Sequence, residues 1–278
     1  MKPEDFDLFA QLVKHRSGLV LTREKAYLLE SRLLPVVRKY NLKALEDMAQ
    51  AVRANRQEDM LRDITEALVT NDSSFFRDWR PFIHFQKTIL PRMHSARAAK
   101  KHLRIWSAGA SSGQEAYSLA MICAEEAAAL RGWRVDIIGT EISRDMIERA
   151  QGGIYTQFEV QRGLPITMLV KYFEQMPGDK WQIKEDIRQM AQFREGNLLQ
   201  DFGPIGTFDI IFCRNVLAYF DAPTQAKVLD ALGGVMAPDG VLFLGAAESI
   251  SSVDAKFRPM GGLQGIFTLA AAQEKQAV

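Results

Sequence analysis

Over residues 3–66 the apolar positions recur at three- and four-residue spacing, as one face of a helix requires. Phe6, Phe9, Leu12 and Val13 make the first such face. Thr22 stands as an N-cap ahead of Arg23-Glu24-Lys25, and Tyr27, Leu28, Leu29, Leu33 and Leu34 follow on roughly one stripe. Pro35 is placed to kink that helix. Leu61, Ile64, Leu68 and Val69 close another. Strand alternation is absent, and Gly18 is the one glycine before Gly109. Residues 1–70 therefore read as a small all-α N-terminal domain, with 71–101 as a linking and cofactor-capping segment.

From residue 102 short apolar runs alternate with amphipathic stretches. Leu103–Trp106, Val135–Gly139, Phe208–Cys213, Val241–Gly245 and Gly265–Leu269 read as strands. Helices are expected over Gln114–Leu130, from Arg144, and over Ala222–Met236, with Pro238-Asp239-Gly240 as a turn. Strand and helix alternating at this spacing predict a doubly wound α/β sheet over 102–278. Residues 151–200 break the rhythm and predict an inserted piece.

Composition changes this picture little: 278 residues, 47% hydrophobic and 25% charged, exclude a disordered, fibrous or collagen-like chain. No apolar run approaches the roughly 20 residues that cross a bilayer, and Met1-Lys2-Pro3-Glu4-Asp5 leads into no signal-peptide core. A cytoplasmic monomer without membrane insertion is expected. Cys123 and Cys213 sit in apolar runs and read as buried thiols. The net charge of +1 hides an asymmetry: residues 1–104 carry 20 basic and 13 acidic side chains, the remainder 15 and 21. That balance is a hint of an acidic partner for the N-terminal part, set against a solvated basic face as the commoner outcome.

Three segments carry chemistry. Ser107-Ala108-Gly109-Ala110-Ser111-Ser112-Gly113-Gln114-Glu115 lies between a strand and a helix, where small residues and free helical N–H groups admit a ligand. Glu141 ends the next strand and is placed to accept both hydroxyls of a ribose, so the pair points to a nucleoside-bearing cofactor with Gly109 in its turn. Gly109-x-Ser111-x-Gly113 also has the form of a hydrolase nucleophile elbow, but His15, His84, His94 and His102 all precede Ser111, whereas the elbow fold needs its histidine after the serine. Those histidines have no metal-ligand spacing, and no metal is expected. The other two segments are Thr70–Arg77 and Cys213–Asp221, in which the polar Arg214-Asn215 pair interrupts apolar runs. Nucleic-acid binding is disfavoured, since the basic bias lacks interleaved exposed aromatics.

The order of these segments resembles the chemotaxis-receptor glutamate O-methyltransferases, the CheR-type enzymes. Their Thr-Asn-Glu-Thr-x-Phe-Phe-Arg-like segment is matched by Thr70–Arg77, and Trp-Ser-Ala-x-x-Ser-x-Gly-x-Glu-x-Tyr-Ser by Trp106–Ser118. Asn-Leu-Leu stands at Asn197-Leu198-Leu199, and Phe-Cys-Arg-Asn-Val-x-x-Tyr-Phe at Phe212–Phe220. The resemblance implies a class I methyltransferase (Rossmann-like) sheet with a small antiparallel β-subdomain inserted at about 170–196. It implies S-adenosyl-L-methionine as cofactor and S-adenosyl-L-homocysteine as product, held by Asn71, Ser73, Arg77, Glu115, Glu141, Asn197, Leu198, Asn215 and Val216. Arg77 and Tyr219 would face the methyl-transfer centre, and cytoplasmic helices of methyl-accepting receptors would dock on Arg32, Arg38 and Lys39. The acceptor glutamate, which ordinarily titrates at about 4.3, is ionised at neutral pH, so methyl transfer needs alignment rather than a strong base.

Four departures stand out. Glu141 replaces an aspartate, Asp72 a glutamate and Ser73 a threonine, while Gly245-Ala246-Ala247-Glu248 replaces Gly-His-Ser-Glu. The loop Met176-Pro177-Gly178-Asp179 is short for gripping a receptor's C-terminal pentapeptide, which implies methylation without that tether. The Ala246-Ala247 change supports an alternative, a cofactor-binding regulatory module without transfer activity.

Overall fold

The structure, a computed structural model, describes residues 1–54, 57–248, 250 and 256–270. The expected sheet domain runs past these, and its residues 249, 251–255 and 271–278 lie outside the described residues. The chain divides into a helical unit, Met1–Thr70 with Tyr219–Gln225, and a sheet unit, Asn71–Ala218 with Ala226–Val278.

The helical unit is built of α1 (Pro3–Ser17), α2 (Ala26–Lys39), α3 (Leu45–Arg53) and α4 (Glu58–Leu68). Phe6, Phe9 and Val13 of α1 are buried, as the spacing predicts. Gly18 ends that helix at φ +81°, its N–H donating to the Lys14 carbonyl at 2.9 Å, a left-handed cap that a side chain would strain. Two expectations for α2 need correction. Thr22 makes no side-chain cap; it precedes a 3-10 turn, Arg23–Lys25, whose own Lys25 N–H donates to the Thr22 carbonyl at 3.0 Å. The buried stripe is Leu29, Leu33, Val36 and Val37, a cleaner i, i+4, i+7, i+8 series, whereas Tyr27, Leu28 and Leu34 face outward. Pro35 stays inside the helix.

The sheet unit opens with α5 (Arg80–His84), a π turn (Phe85–Ile89) and α6 (Leu90–Ala96). There follow β1 (His102–Ala108), α7 (Gln114–Glu125), β2 (Arg134–Glu141) and α8 (Arg144–Gly152). The inserted piece carries β3 (Ile154–Thr156), α9 (Gln157–Gln161), α10 (Ile166–Tyr172), β4 (Phe173–Met176), β5 (Lys180–Ile183) and α11 (Glu185–Arg188). The chain returns through β6 (Ala191–Glu195), β7 (Phe208–Cys213), α12 (Ala222–Gly234), β8 (Met236–Leu244), β9 (Phe257–Pro259) and β10 (Ile266–Leu269).

Among the described residues the main sheet runs β6-β2-β1-β7-β8-β10-β9, parallel from β6 to β8 and antiparallel through β10 and β9. A separate antiparallel sheet runs β3-β5-β4. The inserted sheet thus spans 154–183 rather than about 170–196, because β6 pairs with β2 in the main sheet. Pro238-Asp239-Gly240 does not end a strand either; β8 passes through it, with a register shift against β7 between Phe208 and Ile210.

Alternate residues of the central strands face opposite sides. Phe212 of β7 stacks on Phe243 at 4.1 Å and meets Phe82 and Phe85 at 6.0 and 5.9 Å, while Trp106 of β1 packs against Phe202 and Phe208. All six residues of β7 are buried, which is why that strand reads as apolar apart from Asp209. Arg97 ties the segment after α6 to this sheet, with Nε 2.6 Å from Asp209 and its two Nη atoms 2.8 and 2.5 Å from Asp239.

Candidate active site

The parallel strands deliver four turns to one edge of the sheet, beyond their carboxyl ends. In the order β2-β1-β7 the chain direction of growth reverses at β1, the position at which open α/β sheets bind ligands. The first turn follows β1. Gly109 has φ +77°, and an added Cβ would lie 2.7 Å from Val216 Cγ2, so only glycine lets the turn after β7 come this close. The N–H groups of Gly109 and Ala110 both donate to the Thr140 carbonyl at 2.9 Å. Ser111, at φ +50°, donates its N–H to Glu141 Oε2 and its hydroxyl to the Asn71 carbonyl, each at 2.9 Å.

Glu141 is buried, and its other oxygen accepts the N–H groups of Ile142 and Ser143 at 2.8 and 3.2 Å. The longer side chain at this position thus spans from its own turn to Ser111. Asn197 and Leu198 follow β6, where the Gly196 N–H donates to the Glu141 carbonyl at 3.0 Å; Asn197 Oδ1 accepts the Leu199 N–H at 3.0 Å. Glu115, in the first turn of α7, accepts the Ser107 hydroxyl at 2.8 Å and Arg214 Nη1 at 3.1 Å. Burial pushes the Glu115 carboxyl up from its ordinary value, with the Arg214 charge pulling the other way.

After β7, Asn215 stands at φ +60° and donates its N–H to Glu248 Oε2 at 2.8 Å. The same glutamate accepts the N–H groups of Gly245 at 2.7 Å and Ala218 at 3.1 Å. Glu248 and Arg214 shape this turn, yet neither was expected among the site residues. The signal available was a charged residue set in or beside an apolar run: Arg214 after Ile210-Ile211-Phe212-Cys213, and Glu248 four residues beyond Leu244.

Arg77 donates Nη1 to the Asp72 carbonyl at 2.8 Å, with Nη2 3.5 Å from the Asp72 carboxylate. Asp72 is also paired with Arg162 at 2.7 Å, and the two arginines, Arg162 foremost, hold its carboxyl below the ordinary value. Ser73 is half-buried in the same segment. Tyr219 belongs to the helical unit, where its ring packs against the apolar core and its carbonyl accepts the Val20 N–H at 2.9 Å. Of the three expected docking residues, Arg32 Nη1 donates to the Leu68 and Val69 carbonyls, ending α4, and Lys39 pairs with Asp63 at 2.6 Å. Arg38 stands exposed without an ion-pair partner among the described residues.

Two family models match the chain. Residues 4–69 match the CheR methyltransferase all-alpha domain and residues 71–266 the CheR methyltransferase SAM binding domain. The chain belongs to the CheR methyltransferase family. It is 36% identical over 256 residues to chemotaxis protein methyltransferase 1 of Vibrio cholerae, covering 91% of this chain and 92% of that one. It is 36% identical over 253 residues to chemotaxis protein methyltransferase 1 of Pseudomonas aeruginosa, covering 90% and 91%. The chemotaxis protein methyltransferase of Escherichia coli is 31% identical over 261 residues, covering 92% and 88%. As a CheR methyltransferase the chain uses S-adenosylmethionine, and its sheet unit is the class I methyltransferase fold. Among the described residues no helix is long and apolar enough to cross a membrane.

Proposed function

We propose that this chain transfers a methyl group to glutamate carboxylates on the cytoplasmic helices of chemotaxis receptors, with Arg77 holding the acceptor carboxylate. The observation that carries this reading is the convergence of the Asn71, Ser111, Glu141, Glu115 and Asn215 segments at the carboxyl edge of the sheet, beside the turn that presents Arg77. These residues fit S-adenosylmethionine: a glycine turn admits a nucleoside, Glu141 offers a buried carboxylate for ribose hydroxyls, and Glu115 offers one for an ammonium group. When bound, that cofactor supplies the methyl group as a sulfonium substituent. Asn71, Ser73, Gly109, Asn197, Leu198, Asn215 and Val216 complete the cradle by family resemblance.

The chain's own work is positioning. An acceptor glutamate is already ionised at neutral pH, so no proton has to be moved before attack. Arg77 orients it by charge-assisted hydrogen bonds, and its weak 3.5 Å approach to Asp72 leaves the guanidinium able to exchange one carboxylate for another. The test uses a purified receptor cytoplasmic fragment and labelled cofactor. Arg77→Ala lowers turnover at least tenfold while product affinity, measured calorimetrically, falls less. An unchanged rate removes Arg77 from the site.

Receptor recognition is assigned to α2, whose outward stripe Tyr27, Ser31, Leu34 and Arg38 holds two large exposed hydrophobic side chains and a cation at its end. The tight β4–β5 hairpin, turning at Pro177-Gly178-Asp179, supports methylation without a pentapeptide tether. Micromolar affinity for a receptor-tail pentapeptide would overturn that last point.

A further inference from the structure

Three non-glycine residues around Arg77 have positive φ: Phe76 at +49°, Asp78 at +66° and Trp79 at +46°. L-residues rarely take these angles, and such a turn persists only where its surroundings over-determine it. Part of the restraint is visible. Phe76 donates its N–H to the Ser118 hydroxyl of α7 at 3.0 Å, and its ring stacks on Trp79 at 4.9 Å. The rest comes from across the sheet edge. Arg214 has a side chain only 1% exposed, yet it carries a charge into the core. Its Nη2 donates to the Arg77 carbonyl and to Asp78 Oδ2, both at 2.8 Å, and its Nη1 donates to Glu115 Oε2 at 3.1 Å. The guanidinium also lies over the Phe82 ring, 5.4 Å from its centroid.

We infer that Arg214 is the positioning residue that sets the acceptor-holding turn of Arg77 against the cofactor-side carboxylate Glu115. This rests on the function proposed above. A buried charge of this kind needs a reason, because an apolar side chain would pack here at lower desolvation cost. The reason is geometric. One planar fork bonds the peptide at the centre of the strained turn with one arm and the first turn of α7 with the other. Lysine keeps the charge between Asp78 and Glu115 but offers a single point in place of the fork. Arg214 touches neither the acceptor nor the cofactor in this scheme; it acts through Arg77 and Glu115.

The full-length protein with Arg214→Lys is compared with wild type in three measurements. These are calorimetric binding of S-adenosylhomocysteine, kcat and KM for the receptor fragment, and hydrogen exchange of the peptide spanning residues 76–80. The expected result is product affinity within threefold of wild type, kcat at least tenfold lower, and amide exchange in 76–80 at least tenfold faster. Asp78→Asn, at a half-exposed position, weakens one of the three bonds and keeps those to the Arg77 carbonyl and Glu115, and is expected to lower kcat about threefold and to leave product binding unchanged. Wild-type kcat in Arg214→Lys overturns the inference, as does an equal loss of product binding and kcat. Unchanged exchange in 76–80 overturns it as well. A wild-type chain that binds the product yet methylates no glutamate overturns the proposed function instead, and the exchange result then decides Arg214 on its own.

Discussion

Single side chains at this site do the work of whole loops. Glu141 and Glu248 each accept three backbone N–H groups, and each fixes the turn beyond a different strand. A carboxylate has two oxygens and about four acceptor positions, so it serves several amides that no neutral side chain of the same size satisfies. Glu248→Gln replaces one acceptor oxygen with a donor that faces an N–H group. It is expected to destabilise the protein by about 2 kcal/mol, read from urea unfolding, while the isosteric shape is kept. The Gly245-Ala246-Ala247-Glu248 segment keeps these three bonds. Glu141 was legible from its position at the end of an apolar run, since a carboxylate at a strand's carboxyl edge needs a purpose. Glu248 was not, because its partners lie 30 and 33 residues away for two of its three bonds. The thiols are the simpler case: burial pushes Cys123 up to about 12 and Cys213 in the same direction, as their apolar settings predict.

Periodic elements were the most readable part of the chain, and departures from the period mark where tertiary contacts took over. α1 and β7 follow their patterns because one is half-buried and the other wholly buried. β6 was hidden by its mixed composition, with Gln192, Arg194 and Glu195 exposed on an edge strand. Charge also acts at this scale. Asp221 precedes α12, its Oδ1 accepting the Thr224 N–H at 3.1 Å while Lys14 of α1 lies 2.7 Å from Oδ2. Lys14 and Thr224 hold the Asp221 carboxyl down to about 2. A depressed carboxyl stabilises the fold above its unfolded value near 3.9 and loses that contribution as the pH falls through the folded value. Asp221→Asn therefore melts earlier than wild type at pH 6, and the gap between the two closes between about pH 4 and pH 2. A gap that persists at pH 2 would assign the effect to the cap alone. No comparable argument was available from sequence, where Lys14 and Asp221 stand 207 positions apart.

At the scale of the whole molecule the uneven charge has a place to act. Residues 1–104 carry the basic excess, and Tyr27, Leu34 and Arg38 of α2 are exposed, the face to which the proposed function assigns docking. Arg38→Glu is expected to raise KM for the receptor fragment about tenfold at low ionic strength and much less at about 0.5 M salt, with product binding unchanged. An equal effect at both salt concentrations would point to damaged folding rather than lost docking. Sequence alone determined the two-part architecture, the βα alternation and the glycine turn after β1, because each is specified by residues within a few positions of one another. It also determined the segment order that places the chain among the CheR methyltransferases. Only the tertiary structure decided which cations are engaged and which are exposed, where the inserted sheet begins, and that Arg214, Asp78 and Glu115 meet. Those contacts join positions 99 and 136 residues apart, and a local pattern carries no information about which distant charge will satisfy a buried one.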